Sequence, residues 1–575
     1  MAGQLYEART YRPSVLGGDM ITYNEPLLPL DAIGTFECSR WRNALFRRFK
    51  VFRSHLENHY RWLATQHSYV EANRWLGATA EKMKLGGTGL TIDADQQAVS
   101  DYAKAKSKAC EKLIHDAYRR VGTEGMLLLV RNEVNRTGIS FPLPEDKEPT
   151  KEQKVAALAR LCDASWWRRK LITWQSRELE AFARELGFVC RKTGAYISNI
   201  SFARRSDRKR SNRALLEKLQ AENELGQTYT LAELADLSVS NPAIRRTELM
   251  VRMRGFENIA NEASEQFTGQ FYTLTCPSKY HARSKSGIQN SKYNGATPLE
   301  AQHYLNTVWQ RTRAAWKRQG IEAFGMRVVE PHHDGTPHWH LLLFFESTQV
   351  APATAILQGY ALEEDGEEPG ASEHRLQVVT IDPSKGSATG YIAKYISKNI
   401  DGYGIDADQY GLDAKNSAQR IEAWASVWGI RQFQQIGGAS VTVWRELRRL
   451  DAETIDASLL AQLIQAADNG EWDHFTELMG GAICPRNERP VRPMYLAKAE
   501  ENRYGEIIQK LNGLFYCSSQ IVTRLHTWVI SKVAATNHEA NIDSVAPDGL
   551  NEFDPVLSFA PEGRTWSSVN NCTGN

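Results

Sequence analysis

The stretch Glu330–Phe344, EPHHDGTPHWHLLLF, carries the most informative pattern of this 575-residue chain. Apolar and β-branched residues on either side of its centre predict two strands, Met326–His333 and His338–Glu346. The segment Asp334–Pro337 (DGTP) between them is a turn sequence, because Asp, Gly and Pro favour turn conformations over strand pairing. The stretch therefore predicts a β-hairpin.

Two histidines of the second strand lie on one face of this hairpin. Side chains alternate along a strand, so His338 and His340 point the same way and Trp339 points to the opposite face. Two neutral imidazoles are half of a divalent metal site. A lone His-x-His pair is more often an ordinary surface or core pair. Here a carboxylate, Glu330, precedes it by eight residues across a tight turn, and this favours a metal site.

The length of the hairpin loop decides which side chains face the two histidines. A three-residue loop, Asp334–Thr336, places Glu330 opposite His340 and His332 opposite His338. A two-residue loop would instead place Pro331 opposite His340 and His333 opposite His338. We favour the three-residue loop, because it contains the glycine and brings a carboxylate oxygen to the site.

The predicted metal ligands are Glu330, His338 and His340. His332 is a further ligand, a supporting partner or a base. Two imidazoles and one carboxylate with open positions suit Mg²⁺ or Mn²⁺ acting on phosphate oxygens.

A second motif, Gly390–Asn399 (GYIAKYISKN), predicts a short helix from about Thr389 to Asn399. Tyr391 and Tyr395 are four residues apart and share a helix face, whereas the two isoleucines form a separate stripe for burial. Paired tyrosines are more often packing residues than catalytic ones. Lysines follow each tyrosine by three residues, and ammonium groups favour a phenolate over a phenol whose pKa is ~10. The tyrosines are therefore candidate nucleophiles, with two lysines in supporting roles: Lys394 and Lys398.

Further elements surround the two motifs. Thr297–Glu300 (TPLE) is a capping box followed by a helix that ends near Gly320. Three more stretches read as strands: Gln270–Cys276, Leu376–Ile381 and Ser440–Trp444. Strands and helices in this order predict an α+β fold with a central antiparallel sheet, flanked by mainly helical N- and C-terminal regions.

Composition narrows the class of protein. Hydrophobic residues make up 42% and charged residues 24%, which is typical of globular proteins and predicts roughly three or four domains. No apolar run reaches the ~18 residues of a membrane span, and the N-terminus lacks a signal-peptide core. Eight scattered cysteines without a C-x-x-C pair predict reduced thiols. We therefore expect a cytoplasmic protein without a membrane partner.

The net charge is only +2, but basic residues cluster locally. One cluster interleaves with an amphipathic pattern between residues 40 and 53. A second cluster is a candidate surface for DNA phosphates, with a solvated helix face as the equally weighted alternative: Arg204, Arg205, Arg208 and Arg210.

The hairpin and the two-tyrosine helix together resemble the HUH (His–hydrophobic–His) endonucleases, and in particular the bacteriophage replication gene A protein family. A strand of the type Phe271–Thr275, the Glu330…His338-Trp339-His340 hairpin and the Tyr391–Lys398 helix occur in the family's order. The resemblance extends through Ala425–Phe433 and Val441–Trp444 and weakens toward both termini. The combination of the three motifs is specific, whereas either half alone is not.

The resemblance implies a rolling-circle replication initiator. In that family a metal holds the scissile phosphate and a tyrosine attacks it, which gives a 5′-phosphotyrosine link and a free 3′-OH primer, and the displaced strand is later rejoined. With the residue pattern, it divides the chain into three expected regions: a mainly helical N-terminal region that is a candidate for DNA binding (1–255), an HUH endonuclease domain (256–450), and a helical C-terminal region (451–575) whose last residues, Asp543–Asn575, are rich in Pro, Gly, Asn and Ser and predict a loose tail.

Two other classes share parts of this pattern. A relaxase or transposase uses the same nuclease fold, but many relaxases carry their tyrosines near the N-terminus rather than after the hairpin. A non-enzymatic, site-specific DNA-binding protein would not need a metal hairpin beside a tyrosine pair. The expected partners are origin DNA, single-stranded or supercoiled, and a replicative polymerase of the host. A host helicase is also expected, because the chain has no P-loop motif of its own. The expected location is the cytoplasm of a bacterial host cell.

Overall fold

The structure, a computed structural model, describes residues 27–533 apart from 145–146, 264–265, 383, 408–410 and 453–458. Its N-terminal part is mainly helical, as predicted, with one small β-hairpin. The elements of this part are α1 (Phe36–Arg48), α2 (Arg53–Gln66), α3 (Tyr69–Lys82), α4 (Gln96–Arg136), α5 (Lys151–Leu161), α6 (Ala164–Glu185), α7 (Asn199–Glu217), β1 (Leu219–Asn223), β2 (Thr228–Thr230), α8 (Leu231–Asp236) and α9 (Pro242–Glu262).

A five-stranded sheet forms the centre of the described chain. Its strand order is β6-β3-β5-β4-β7, and every neighbouring pair is antiparallel, which confirms the predicted α+β architecture. The elements are β3 (Phe267–Thr275), α10 (Pro298–Arg318), β4 (Ala323–Pro331), β5 (Pro337–Glu346), α11 (Val350–Leu362), α12 (Ala371–His374), β6 (Leu376–Thr380), α13 (Ala388–Ile400), α14 (Ala414–Trp428), β7 (Phe433–Ile436) and α15 (Val441–Leu447).

Both faces of the β4–β5 hairpin are buried. Leu342 and Phe344 pack on one face in a core that also holds the isoleucine stripe of α13. On the other face Trp339 lies in a second core with residues of α10, α11 and α14, and its indole N–H donates to Gln302 at 3.0 Å. Helices on both faces explain why β5 reads as an almost continuous apolar run. The hairpin is thus held rigidly from both sides.

Local signals place two of the packing helices. Thr297 and Glu300 form the predicted capping box, with Pro298 in the first turn of α10. Helix α13 begins where Ser387 caps the amide of Gly390, and the carboxylate of Glu257 in α9 accepts the amide of Thr389 at 3.1 Å. The start of the tyrosine helix is therefore tied to a neighbouring helix.

The predicted last strand, Ser440–Trp444, is wrong. This segment begins helix α15, and the fifth strand is β7, which pairs with β4. Val443, Trp444 and Leu447 enter the core at helical spacing, so tertiary packing overrides the β-propensity of the Val-Thr-Val run. The predicted region boundary at residue 255 falls inside α9.

The C-terminal region is helical only in its first part. Two helices, α16 (Leu459–Asn469) and α17 (Trp472–Leu478), are followed by β8 (Val491–Glu501), β9 (Ile507–Tyr516), β10 (Ser519–Val522) and β11 (Trp528–Lys532). The first three of these strands form one sheet, and β11 pairs with β1 of the N-terminal part. A helical region over 451–575 is therefore wrong beyond α17. The strands bury few apolar residues and so carry a weak sequence signal; β8, β9 and β10 pair with their neighbours in sequence, whereas β11 pairs with a distant strand. The predicted loose tail, 543–575, lies outside the described residues.

The described residues contain no helix that is both long enough and apolar enough to cross a bilayer. Their seven cysteines are all free thiols, as predicted.

Gly325 of β4 tests the packing of the hairpin. Its φ is +150°, and a Cβ atom there would lie 2.0 Å from the backbone oxygen of Leu342. We expect Gly325→Ala to cost ~2 kcal/mol or more and to lower the melting temperature. Gly359 is the matched control, because it lies exposed in α11 with nothing within 4 Å of an added Cβ. Gly359→Ala should be neutral or stabilising by up to ~1 kcal/mol. Equal melting temperatures for the two variants would contradict this packing.

Candidate metal centre and tyrosine helix

The loop of the β4–β5 hairpin consists of His333, Asp334 and Gly335. The amide of His332 donates to the carbonyl of Thr336 at 2.7 Å, and Gly335 has a φ of +80°. A left-handed residue at the third position is the usual form of a three-residue hairpin loop. The predicted loop has the right length but the wrong position, because it places the glycine second.

This loop changes the strand register. Glu330 lies opposite His338, not opposite His340, and Val328 lies opposite His340. His332 lies beyond the end of β4 rather than opposite His338. The register prediction is therefore wrong by two residues. A shift of two keeps Glu330 on the face that carries both histidines.

A buried ion pair holds the loop in place. The carboxylate of Asp334 accepts the amides of Thr336 (3.1 Å) and Ala282 (2.8 Å) and lies 3.5 Å from the guanidinium of Arg184 in α6. Burial alone would raise the pKa of Asp334, but His281 and Arg184 hold it well below its usual range. The N-terminal helices thus fix the turn that positions the histidines.

Three side chains of the hairpin converge on one point. One ligand atom from each of Glu330, His338 and His340 lies within 4.8 Å of the others, and all three residues are buried. The two Nε2 atoms are 3.0 Å apart, and Glu330 Oε2 is 3.5 Å from that of His340 and 3.8 Å from that of His338. These are the three predicted ligands.

The donor set of this Glu–His–His group fits a divalent cation. Burial lowers the pKa of His338 well below its usual value, so this imidazole is neutral at pH 7 and its nitrogen lone pair is available. Nδ1 of His340 forms a 3.1 Å hydrogen bond with Thr273 of β3; when Nδ1 donates it, Nε2 faces the site as an acceptor. Open positions remain for other oxygen ligands.

The third predicted ligand, Glu330, is charged although it is only 1% exposed. Nζ of Lys398 lies 3.1 Å from Oε2, and the side-chain amide of Asn399 donates to Oε1. Burial alone would raise the pKa of Glu330, but Lys398 and His340 lower it to about 2. The carboxylate is thus ready to bind a cation at neutral pH, and it ties β4 to the tyrosine helix.

His332 stands beside this group rather than within it. Its ring stacks on that of His338 with centroids 4.1 Å apart, and its Nε2 is buried without a hydrogen-bond partner among the described residues. Burial lowers the pKa of His332 to about 3, so it is neutral. The geometry supports contact with His338 and does not bring His332 into the converging group.

The two tyrosines lie on the side of α13 that faces β3. The ring of Tyr395 is 3.9 Å from the ring of His340 and 5.5 Å from that of Phe271, centroid to centroid. Tyr391 is 39% exposed, and its ring lies 6.3 Å from that of Phe271. Burial, together with Glu330, raises the pKa of Tyr395. Tyr395 therefore borders the Glu–His–His group as a neutral phenol, and Tyr391 lies one turn away toward solvent.

The two lysines differ in their surroundings. Lys398 is buried against Glu330, whereas Lys394 is exposed on the turn between the tyrosines. The site also contains three residues that the sequence analysis does not identify: Asn399, Thr273 and Gln432. Gln432 donates to the side-chain oxygen of Asn399 at 3.3 Å. Asn399 ends the quoted tyrosine motif, which is the one signal that could have identified it.

The predicted phosphate-binding arginines lie on α7. Arg204, Arg205 and Arg208 line a cavity of about 60 Å³. Arg205 pairs with Glu422, and Arg210 pairs with Asp207. Because Arg205 and Arg210 already have acidic partners, these contacts give no support to DNA binding at α7, which stays a prediction.

Comparisons with known proteins place both motifs in one family region. The model of the family described as bacteriophage replication gene A protein matches residues 93–403, which include the converging group and both tyrosines. No solved structure matches the chain.

Three relatives illustrate the similarity. The replication gene A protein of Escherichia phage 186 is 43% identical over 438 residues, 74% of this chain and 60% of that protein. The probable replication protein P12 of Pseudoalteromonas phage PM2 is 42% identical over 428 residues, 73% of this chain and 62% of that protein. A probable replication endonuclease from a prophage-like region of Salmonella typhi is 33% identical over 489 residues, 80% of this chain and 58% of that protein. The chain thus spans about three fifths of the length of these relatives.

The metal site is testable by thermal unfolding with and without Mn²⁺. At 100 times its dissociation constant, a bound ion stabilises the folded protein by about 2.7 kcal/mol. We expect His338→Ala to lose most of this gain, because it removes one of three ligands. His303→Ala, an exposed histidine of α10, is the control and should keep the gain. Full stabilisation of His338→Ala by Mn²⁺ would contradict the site.

The charge on Glu330 is testable through pH. In EDTA at pH 7, Glu330→Gln should lower the free energy of unfolding by about 3 kcal/mol, because Lys398 is left buried without an anion. The folded pKa of about 2 lies below the ~4.3 of an unfolded glutamate. The contribution of the carboxylate is therefore complete above pH ~5 and is lost as the pH falls toward 2.

Urea unfolding should thus show a smaller gap between wild type and Glu330→Gln at pH 3 than at pH 7. Glu322→Gln, at an exposed site just before β4, should differ from wild type by less than ~0.5 kcal/mol at both pH values. A gap that stays constant or widens at pH 3 would mean that Glu330 is not held as a carboxylate.

Proposed function

The chain belongs to the bacteriophage replication gene A protein family, and we propose that it initiates rolling-circle DNA replication as a metal-dependent, site-specific single-strand endonuclease of the HUH type. One observation carries this proposal. The ring of Tyr395 packs against His340, so a phenol borders a buried Glu–His–His group that fits a divalent cation. The name of the Salmonella typhi relative, a replication endonuclease, agrees with it.

Glu330, His338 and His340 would hold the cation, with Mg²⁺ and Mn²⁺ as the proposed ions. When bound, the ion supplies positive charge that polarises the scissile phosphate and stabilises its developing oxyanions. Neutral His338 and the charged Glu330 need no proton loss at pH 7 to serve as ligands.

The reaction is a transesterification. The phenolic oxygen of a tyrosine attacks phosphorus, the bond to the 3′-oxygen breaks, and a 5′-phosphotyrosine ester forms. The phenol gives its proton to solvent, and the released 3′-oxygen takes one to become the primer hydroxyl. Because one phosphodiester replaces another, the reverse step rejoins a strand without ATP.

The two tyrosines differ in position, and this suggests different parts in the reaction. Tyr395 lies against the metal group and would make the first attack. Tyr391, one helical turn away and 39% exposed, would cleave the regenerated origin while Tyr395 still holds a DNA end. Lys394 on the exposed turn would neutralise strand phosphate, and Lys398 would keep Glu330 in place.

In this proposal the substrate is origin DNA, single-stranded or made accessible by supercoiling. A host helicase and a replicative polymerase would act on the nicked product, and the reaction would take place in the cytoplasm of a bacterial host.

The tyrosines are tested by adduct formation. A pool of randomised single-stranded oligonucleotides, labelled at the 3′ end, is incubated with protein and Mn²⁺ and resolved on denaturing gels. We expect Tyr395→Phe to lose most of the covalent adduct, Tyr391→Phe to keep more of it, and the double variant to form none. Tyr118→Phe, an exposed tyrosine of α4, is the control and should match wild type.

Peptide mapping of the adduct by mass spectrometry should find the nucleotide on Tyr395 or Tyr391. Attachment at another residue, or an adduct that survives in the double variant, would refute the mechanism.

A further inference from the structure

A large cleft lies beside the β7 edge of the central sheet, outside the metal group. Its volume is about 1160 Å³, and it is lined by α9, β7, the start of α15 and the segment 482–489. Most of this lining lies beyond the residues that match the family model.

The cleft is strongly basic. Seven arginines and one carboxylate, Glu248, line it among the described residues. Arg252 and Arg445 share that carboxylate in the inner part. Four further arginines are exposed, and none of them has an ion pair with a described carboxylate: Arg245, Arg313, Arg431 and Arg486.

Like charges crowd one another in this cleft. Burial lowers the pKa of Arg252 to about 10, and the neighbouring Arg445, Arg431 and Arg245 contribute to this although Glu248 opposes it. A bound polyanion would relieve this repulsion, so the inner arginines favour an anionic ligand.

One wall of the cleft shares a sheet face with Glu330. Phe433, in its wall, pairs with Val328, which lies two residues before Glu330 on β4. With strand rises of ~3.3 Å and strand spacings of ~4.8 Å, the two sites begin about 8 Å apart along the sheet. The near wall of the cleft is therefore one strand away from the strand that carries Glu330.

The lining indicates how a ligand is recognised. Phe433 is the one aromatic residue among the described residues of the lining, and the guanidinium of Arg245 covers its ring at 5.2 Å. Stacking on bases needs accessible aromatic faces, whereas guanidinium groups bind phosphates whatever the sequence. The volume also exceeds the usual ~300–1,000 Å³ of a small-molecule pocket.

We propose that this arginine cleft binds the phosphate backbone of the single-stranded DNA that flanks the cleavage site. The identity of the bound strand rests on the proposed function. The binding of phosphate by the arginines of the cleft does not. The cleft would hold the DNA next to the metal group without reading its sequence, and sequence selection would lie elsewhere.

The test is the salt dependence of binding. A fluorescent 30-nucleotide single strand of mixed sequence is titrated by anisotropy in EDTA, so that no cleavage occurs. The test variant combines Arg245→Ala, Arg431→Ala and Arg486→Ala. The matched control combines Lys112→Ala, Arg119→Ala and Arg120→Ala on the exposed surface of α4, with the same loss of charge.

Each lost phosphate contact should reduce the slope of log affinity against log salt by ~0.7 for a single strand. We expect the cleft variant to bind more weakly with a slope smaller by about 2, and the control to keep the wild-type slope. Equal slopes for the cleft variant and wild type would overturn the proposal. So would an equal reduction in the control, because the effect would then come from net charge.

Competition by ATP separates a strand site from a mononucleotide site. Displacement of the oligonucleotide by ATP from wild type but not from the cleft variant would overturn the extended-strand proposal, and an absence of such displacement supports it.

Failure here is distinguishable from failure of the proposed function. A reduced slope without any tyrosine adduct would refute the nuclease and retain the cleft. Tyrosine adducts together with an unchanged salt slope in the cleft variant would refute the cleft and retain the nuclease.

Discussion

A buried carboxylate on the central hairpin organises the site. Glu330 is almost fully enclosed, yet it remains charged because Lys398 and Asn399 of the tyrosine helix contact it. A charge in such surroundings is costly unless it is paired and hydrogen-bonded. The strand that carries Glu330 and the helix that carries both tyrosines are therefore fixed to each other. The same contact keeps Tyr395 against His340.

A second buried charge fixes the other end of the hairpin. Arg184 of the N-terminal helices contacts Asp334 and donates to the backbone carbonyl of that residue at 2.7 Å. The turn therefore depends on a residue 150 positions away. This contact makes the helical N-terminal part a support for the site, whatever its own ligands are.

The alternation of side chains explains how much of the site could be predicted. The predicted loop lies one residue too late, which shifts the register by two, and Glu330 stays on the histidine face because strand periodicity is two. A shift of one would have turned it into the opposite core. Spacing along α13 likewise separated the tyrosines from the buried isoleucines. Local patterns were enough for both motifs, because each lies on a single hairpin or helix.

The rest could not be predicted from local patterns because it depends on distant contacts. Arg184, Asn399 and Gln432 gain their roles only when separate elements meet. Strand β11 pairs with β1, about 300 residues earlier, and carries little hydrophobic alternation of its own. The Val-Thr-Val run of α15 has strand propensity, and core packing makes it helical.

The most direct test of the central claim is anomalous diffraction from crystals of the protein soaked in Mn²⁺. We expect one strong peak at about 2.0–2.3 Å from Glu330 and from Nε2 of His338 and His340, beside the ring of Tyr395. A peak bound by other residues, or no peak at this group in crystals of protein that forms the tyrosine adduct with Mn²⁺, would contradict it.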